Sequence, residues 1–458
     1  MNRIAGRAWI TILFVLILLG GFIFFLFEYA TSAGEWVVFS GSPHVYNAGN
    51  INCGTVIDSE GYVLLDMEGE RDYSSDKFLR MSTVHWLGDR YGYVDAPALS
   101  SYAEQIAGFD MLNGVYNYGD QAGVVKLTLR ASVQKAALTA LGGRKGTVAV
   151  YNYKTGELLC SVSTPAFDPD NPPDITNDPD GIYEGMYLNR FTQSVYTPGS
   201  IFKIVTLAAA LESVPDIETQ KFTCSGSYQF GVDRITCEAV HGEQDIKTAF
   251  SNSCNCAFAQ IALQLGKETL QKYVAQFGIT QPVVFDGITT AGGSYDINDA
   301  HDVNVAWSAI GQYNDQVNPA AFLSFVGAIA NGGEGNAMYF VDEISVGGSL
   351  TYEAQTKGNT RIMSSATAEK VAEYMSHNVS VRYGAENFPG LTVCAKTGTA
   401  EVGGEKKSNA MFAGFVQDDA YPYAFIVCME DTGYGKNCIP VISAVLEACK
   451  KGVNGALN

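Results

Sequence analysis

The most apolar stretch of the chain lies at its amino terminus. Residues 10–27 carry no charged side chain, Arg3 and Arg7 precede them, and Glu28 ends the run. As an α-helix this stretch would be about 27 Å long, close to the roughly 30 Å hydrocarbon thickness of a bilayer. Because basic flanking residues stay on the cytoplasmic side, the chain after Glu28 is expected outside the cell. We therefore predict a cytoplasmic tail at residues 1–9 and a transmembrane anchor at 10–27.

Two other interpretations of this stretch remain open. Thr31, Ser32 and Ala33 are small enough for a signal peptidase to cut there, although an ordinary signal-peptide core has only about 7–15 apolar residues. A buried core helix would be equally apolar, but two arginines at an extreme terminus do not favour it.

The hydrophobic pattern divides the rest of the chain into two parts. Residues 28–121 are rich in Tyr, Gly, Ser and Asp, and their short apolar runs predict a small β-rich pedestal domain with one helix near 98–107. Residues 122–458 form the second part, where a helix is predicted at 132–141 and a mostly helical middle at 201–383.

Apolar runs typical of strands lie near both ends of this second part, at residues 124–129, 147–151, 157–162, 410–416 and 421–429. Strands at both ends with helices between them indicate one sheet assembled from distant segments. We therefore predict an α+β fold, in which a mainly antiparallel sheet packs between helices.

Composition narrows the class of protein. Of the 458 residues 47% are hydrophobic and 17% charged, which excludes a disordered chain or a coiled coil. Lys and Arg total 29 against 48 Asp and Glu, a formal charge of −19. A nucleic-acid-binding protein needs basic residues to neutralise phosphates, so this balance argues against nucleic acid as a partner.

The cysteines and histidines show no close metal-binding pair. Ten Cys and five His include no Cys-x-x-Cys and no His-x-x-x-His, so we predict no structural zinc site and no metal. Cys224 and Cys237 flank a turn-rich stretch that could be a hairpin. Outside the cell they could form a disulfide, and two separate buried thiols are the alternative.

The first candidate for chemistry is Ser200 with Lys203. Pro198 and Gly199 form a turn, and the apolar stretch after Ser200 favours a helix, so Ser200 lies at a helix amino terminus where N–H groups favour negative charge. Lys203 lies one turn further on the same face and, if buried, could accept the serine proton. The alternative is a capping serine beside a lysine with no catalytic role.

Two further motifs follow along the chain. Ser253 and Asn255 precede an apolar helical stretch and could present a hydroxyl and an amide to one cleft, or could simply cap the helix. Lys396-Thr397-Gly398-Thr399 is typical of a strand that runs into a hairpin, where Lys396 and Gly398 would face one side and the two threonines the other. An ordinary edge strand is the alternative.

Together the three motifs, in this order, resemble the signature of penicillin-binding proteins and serine β-lactamases. The chain from about residue 124 onward is similar to class B penicillin-binding proteins, which are monofunctional peptidoglycan D,D-transpeptidases. The resemblance extends to several short stretches outside the motifs: Asn189-Arg190, His241-Gly242, Gly311-Gln312 and Phe412-Ala413-Gly414-Phe415.

The resemblance implies a role for each motif residue in acyl transfer. Ser200 would attack the D-Ala–D-Ala carbonyl of a stem peptide and Lys203 would take its proton. Ser253 would relay a proton to the leaving nitrogen, and Lys396 would hold positive potential nearby. Asn255, the fifth member of this catalytic set, would bind a substrate amide.

The remaining motif residues would bind substrate. Thr397 and Thr399 would receive the terminal carboxylate, Gly398 would let the substrate backbone approach, and the N–H groups of Ser200 and Thr399 would form the oxyanion hole. The resemblance implies no cofactor and no metal. It also implies that β-lactam antibiotics acylate Ser200.

The resemblance also implies partners and location. The expected partners are peptidoglycan stem peptides, β-lactams and a membrane glycan polymerase of the SEDS type. The expected location is the bacterial cell membrane, with the catalytic domain on the outer face.

Two other functions remain open. A membrane-tethered β-lactamase would need a base for a deacylating water, and between Asn255 and Lys396 no Glu has an Asn four residues on. A non-catalytic β-lactam-sensing or scaffold module would use the same fold without turnover.

Overall fold

The computed structural model describes residues 2–39, 41–42, 45–67, 70–107, 123–176, 178–403 and 407–454. Its first element is a long helix, α1 (Asn2–Val37). The apolar part of α1 is exposed and is long enough to cross a membrane. The predicted anchor at residues 10–27 lies within this helix.

The elements that follow α1 are mostly short, as predicted, but they include an 11-residue helix that was not predicted. They are β1 (Tyr46–Asn47), β2 (Asn50–Ile51), β3 (Thr55–Ile57), β4 (Val63–Asp66), β5 (Asp72–Tyr73), α2 (Lys77–Leu87), α3 (Pro97–Ser101) and α4 (Ala103–Ala107). The single helix predicted at 98–107 is wrong in one respect, because Tyr102 interrupts it between α3 and α4. Residues 108–122, which include the predicted boundary between 121 and 122, lie outside the described residues.

The next elements include the first two strands of a five-stranded sheet, here called the main sheet, and the segment that contains Ser200. They are β6 (Val124–Leu127), α5 (Ala131–Leu141), β7 (Gly146–Asn152), β8 (Leu158–Thr164), α6 (Arg190–Gln193), a 3₁₀ turn (Gly199–Phe202) and α7 (Lys203–Ser213). The predictions for these strands and for α5 are confirmed to within two residues at each end.

The middle of the chain contains short strands between its helices. The elements are β9 (Phe222–Cys224), β10 (Ser227–Phe230), β11 (Asp233–Thr236), β12 (Gly242–Gln244), α8 (Ile246–Ser251), α9 (Asn255–Phe277), β13 (Val284–Phe285), β14 (Ile288–Thr289), α10 (Asp302–Ser308), α11 (Pro319–Ala330), β15 (Glu334–Asn336), β16 (Val341–Val346), β17 (Ser349–Glu353), β18 (Gly358–Arg361) and α12 (Ser365–Asn378). The prediction of a mostly helical middle missed these strands, because they are short and largely polar and so show no hydrophobic period.

The carboxyl-terminal elements complete the main sheet. They are β19 (Val393–Ala400), β20 (Asn409–Val416), β21 (Tyr423–Met429) and α13 (Ile439–Asn454). The sheet has the order β19-β20-β21-β7-β8, and every pairing in it is antiparallel. Its strands therefore come from both ends of the domain, as predicted, but the strand predicted at 124–129 is not among them, because β6 pairs with β3 and β16 in a second sheet.

Alternating residues of the main sheet pack into two separate cores. In β7, Val148 and Val150 belong to the core that contains α5 and α13, whereas Ala149 and Tyr151 belong to the core that contains α7 and α11. This is the period of two that a strand buried on both faces produces. The α+β prediction of a sheet packed between helices is thus confirmed.

A second sheet joins the two predicted domains. Its order is β17-β16-β6-β3-β4-β5, and β3 pairs with β6 in parallel, with Thr55 opposite Val124. Strands from both sides of residue 121 therefore share one sheet, so the pedestal is held against the larger domain by backbone hydrogen bonds.

Candidate active site

Ser200 lies in the tight turn that leads into α7. Gly199 has a φ of 54°, and a Cβ built there would lie 2.5 Å from the carbonyl oxygen of Thr399. Only glycine tolerates both the backbone conformation and this close approach. The turn is thereby pressed against β19, which brings Ser200 next to the Lys-Thr-Gly motif.

Lys203 is fully buried, and its side-chain nitrogen contacts three other motif residues. The Nζ atom lies 2.8 Å from Ser200 Oγ and 2.7 Å from Asn255 Oδ1. It also lies 2.9 Å from the carbonyl oxygen of Ser253 and 3.2 Å from Ser253 Oγ. The spacing along the chain predicted the Ser200–Lys203 contact, and the fold adds the other two residues.

Lys396 also contacts the hydroxyl of Ser253. Its Nζ atom lies 3.1 Å from Ser253 Oγ and 3.0 Å from the carbonyl oxygen of Thr397, and the side chain is fully buried. Ser253 Oγ therefore lies between two lysines. A hydroxyl in this position can pass a proton between groups on either side of it.

Burial lowers the pKa of both lysines. Burial first, and then the nearby charge of Lys396, lowers the pKa of Lys203 to about 7. Burial lowers the pKa of Lys396 to about 7 as well. Among the described residues, neither lysine forms a salt bridge that would hold its proton. At neutral pH a neutral amine is therefore available beside Ser200.

The Ser253 turn is held in an uncommon backbone conformation. Ser253 has a φ of 52° and lies between α8 and α9. Asn255 Nδ2 donates to the carbonyl oxygen of Thr236 (2.9 Å), which directs its oxygen toward Lys203. The residue that caps the amino terminus of α9 is Cys254, whose sulfur accepts a hydrogen bond from the N–H of Ala257. The capping alternative for Ser253 and Asn255 is therefore wrong.

Strand β19 alternates as the sequence predicts. Lys396 and Gly398 are buried, whereas Thr397 and Thr399 are half-buried and line the cleft. A Cβ on Gly398 would lie 2.8 Å from the carbonyl oxygen of Pro198, so this glycine is also required for packing against the Ser200 turn.

Partners outside the motifs fix the two threonines. Tyr383 OH lies 3.0 Å from Thr397 Oγ1, and the N–H of Gly435 donates to Thr399 Oγ1 (3.1 Å). The sequence motifs did not indicate Tyr383 or Gly435, because each lies in a segment with no motif of its own.

The motif residues surround a cleft of about 510 Å³. Ser200, Ser253, Asn255, Thr397 and Thr399 line it, and the two buried lysines contact these residues from behind. The lining also includes six residues for which no role was predicted: Glu238, Trp307, Gln312, Glu401, Tyr434 and Lys436. Among them Gln312 had a signal, since the Gly311-Gln312 pair was part of the resemblance.

One wall of the cleft contains a cluster that sequence analysis interpreted differently. All ten cysteines are free thiols, so the predicted Cys224–Cys237 disulfide is wrong. The sulfurs of Cys224 and Cys237 lie 3.5 Å and 3.4 Å from Nδ1 of His241. Cys254 joins the same cluster.

Comparison with known proteins identifies the family. The sequence model of the penicillin-binding protein transpeptidase domain matches residues 146–445. This match covers more than half of the chain and includes all three motifs. The chain belongs to this family of transpeptidase domains.

Two similar proteins are consistent with this family assignment. The chain is 28% identical over 371 residues to the peptidoglycan D,D-transpeptidase PbpA of Mycobacterium tuberculosis, covering 72% of this chain and 73% of that protein. It is 29% identical over 360 residues to stage V sporulation protein D of Bacillus subtilis, covering 75% of this chain and 52% of that protein.

Solved structures show the same fold. The D,D-transpeptidase domain of a peptidoglycan glycosyltransferase from Eggerthella lenta gives a TM-score of 0.75 at 25% identity, covering 88% of this chain and 99% of that one. Penicillin-binding protein A of M. tuberculosis, solved as a ceftriaxone acyl-enzyme complex, gives 0.73 at 23% identity, covering 86% and 98%.

Proposed function

We propose that this protein is a class B penicillin-binding protein that cross-links peptidoglycan stem peptides through an acyl-enzyme on Ser200. The observation that carries the proposal is the position of Lys203 Nζ, 2.8 Å from Ser200 Oγ and within 3.2 Å of Ser253 Oγ. A nucleophile, a base with a pKa near 7 and a hydroxyl relay are thus in contact along one wall of the cleft.

Acylation begins when Ser200 Oγ attacks the carbonyl carbon between the two terminal D-Ala residues. Neutral Lys203 takes the serine proton as the new C–O bond forms. The backbone N–H groups of Ser200 and Thr399 stabilise the negative charge that develops on the carbonyl oxygen. The terminal carboxylate of the donor peptide binds at the hydroxyls of Thr397 and Thr399, close to Lys396.

The C–N bond to the terminal D-Ala then breaks, and the nitrogen receives its proton from Ser253 Oγ. Lys203 returns the serine proton to Ser253, because its Nζ contacts both hydroxyls. D-Ala leaves as a free amino acid, and the donor peptide remains as an ester on Ser200. An amine of a neighbouring stem peptide attacks this ester and loses one proton to Lys203. Lys203 passes that proton to Ser200 Oγ as the ester C–O bond breaks, which regenerates the hydroxyl.

A β-lactam enters the same pathway because its strained amide resembles the acyl-D-Ala–D-Ala bond. Ring opening leaves a penicilloyl ester on Ser200. The amine that resolves the natural intermediate cannot remove this ester easily, since the opened ring stays attached where the D-Ala would have left.

The membrane placement is part of the same proposal. Helix α1 is exposed and apolar over a length that can cross a membrane, and Arg3 and Arg7 precede the apolar stretch. We place the amino terminus in the cytoplasm and the cleft on the outer face of a bacterial membrane. A membrane glycan polymerase of the SEDS type would supply the glycan strands.

Acylation is expected to depend on pH through Lys203. Neutral Lys203 is the base, and its pKa is lowered to about 7, so the acylation rate should rise about tenfold per pH unit below 7 and level off above it. The measurement is the second-order rate constant of labelling by a fluorescent penicillin as a function of pH. A rate that does not change between about pH 5 and 8 would contradict a lysine base with this pKa.

The experiment that tests the proposed function measures where the acyl group goes. The full-length protein in detergent is given a thioester analogue of the donor peptide, with and without a D-amino acid as acceptor. We expect the acceptor to increase thioester turnover and to appear in the product. Bound penicillin should be released slowly, because among the described residues no carboxylate is hydrogen-bonded to Ser200 or Lys203.

Two outcomes would favour the other functions. Penicillin hydrolysis at many turnovers per second would indicate a β-lactamase, and its loss in Glu238→Gln would identify the base, since Glu238 lines the cleft. Stoichiometric penicillin binding without any thioester turnover would indicate a sensing or scaffold module.

A further inference from the structure

Four side chains beside the active-site cleft carry metal-ligand atoms that converge on one point. Cys224, Cys237, His241 and Cys254 each offer one ligand atom, and all four atoms lie within 4.8 Å of one another. The cluster is adjacent to the catalytic residues, since Cys254 lies between Ser253 and Asn255. None of its members has a role in the proposed acyl transfer.

The fold brings these residues together from three segments. Cys224 ends β9, which pairs with β12 so that Cys224 lies opposite Gly242, and His241 directly precedes β12. Cys237 follows the β10–β11 hairpin, and its N–H donates to the carbonyl oxygen of Gly226. The Ser253 turn adds Cys254 at the start of α9.

The distances match a tetrahedral metal site. Zinc binds sulfur at about 2.3 Å and imidazole nitrogen at about 2.0–2.1 Å, so ligand atoms at tetrahedral angles lie about 3.8 Å (S to S) and about 3.5 Å (S to N) apart. Here the sulfurs of Cys237 and Cys254 are 3.9 Å apart. His241 Nδ1 lies 3.4 Å from the Cys237 sulfur and 3.5 Å from the Cys224 sulfur.

The environment also suits a structural metal. Cys224 and Cys254 are buried, while Cys237 and His241 are half-buried at the edge of the cleft. The sulfur of Cys254 accepts a hydrogen bond from the N–H of Ala257, which fixes the position of this ligand atom at the start of α9. Three sulfurs and one imidazole form a soft donor set that selects zinc over magnesium or calcium.

We propose that Cys224, Cys237, His241 and Cys254 bind one zinc ion that fixes the Ser253 turn to the β9–β12 region. This replaces the prediction of no zinc site. The ligand spacing is Cys-x₁₂-Cys-x₃-His-x₁₂-Cys. It contains neither Cys-x-x-Cys nor His-x-x-x-His, so a search for those two patterns does not find it. Zinc binding would also keep these thiols from forming disulfides on the outer face of the membrane.

The test measures bound metal in the full-length protein, purified in detergent with a reductant and without a chelator. Elemental analysis should find one equivalent of zinc per chain in the wild type. The variants Cys237→Ser and His241→Ala should lose it, whereas Cys160→Ala, a buried cysteine on β8 outside the cluster, should keep it.

A second measurement does not depend on the variants folding. Wild-type protein, stripped of metal under reducing conditions and given Co²⁺, should show the visible absorption of tetrahedral thiolate-bound cobalt, and zinc should displace it. The melting temperature should fall on stripping and recover with zinc. If the proposed function is also correct, stripping should slow labelling of Ser200 by penicillin about 10-fold or more.

Two results would overturn the zinc proposal. One is reduced wild-type protein that binds neither zinc nor Co²⁺. The other is a disulfide between two of these cysteines in unreduced protein, with no zinc bound after reduction. Both readouts are independent of catalysis, so loss of activity with zinc still bound would count against the proposed function and not against the metal site.

Discussion

Replacing Ser200 by alanine is expected to abolish both penicillin labelling and thioester turnover. The substitution removes the atom that would form the ester and leaves the turn intact, because Gly199 fixes the backbone there. Loss of a serine nucleophile costs about 10⁴-fold or more in rate. The measurement is the initial rate of thioester turnover in the wild type and in Ser200→Ala, at matched protein concentration.

The control for this loss is a serine that is exposed and outside the cleft. Ser349→Ala on β17 should retain wild-type turnover, and both variants should keep the wild-type melting temperature. Turnover by folded Ser200→Ala at even a tenth of the wild-type rate would mean that a different residue carries the acyl group.

The second large effect is expected for Lys203→Met, which has nearly the same length but cannot accept a proton. Positioned general bases contribute about 10²–10⁴-fold, so acylation by penicillin should slow by that factor. The rise of rate with pH through about 7 should also disappear, since it reports the proton on Lys203. The rate constant is measured by stopped-time labelling at several pH values.

Lys272→Met on α9 is the matched control, because Lys272 is exposed and contacts the ring of Tyr273 and not the motif residues. It should keep both the rate and the pH dependence. A Lys203→Met variant that retains the wild-type pH profile would assign the titrating group elsewhere and would contradict Lys203 as the base.

The sequence predicted the parts of the fold that a local pattern encodes. Continuous apolar runs located β7, β8, β20 and β21, and alternation along β19 separated the buried Lys396 and Gly398 from the half-buried Thr397 and Thr399. The turn before Ser200 was predictable from Pro198 and Gly199. These features depend on neighbouring residues, so sequence alone contains them.

Features that depend on distant residues were not predicted. The parallel pairing of Thr55 with Val124 joins two segments that the pattern assigned to separate domains. The contact of Lys203 and Lys396 with one hydroxyl, on Ser253, followed only from family resemblance, because no spacing rule links three separate segments. The cysteine–histidine cluster was missed for the same reason, since its ligands lie at the ends of short strands and in the turn before α9, which only the fold brings together.

The most direct test of the central claim is to locate the covalent adduct. Full-length protein is labelled with a penicillin of known mass and digested, and tandem mass spectrometry then identifies the modified residue. The account predicts one penicilloyl group, on Ser200, in the peptide that also contains Pro198 and Gly199. An adduct on any other serine, or no covalent adduct on folded protein, would contradict it.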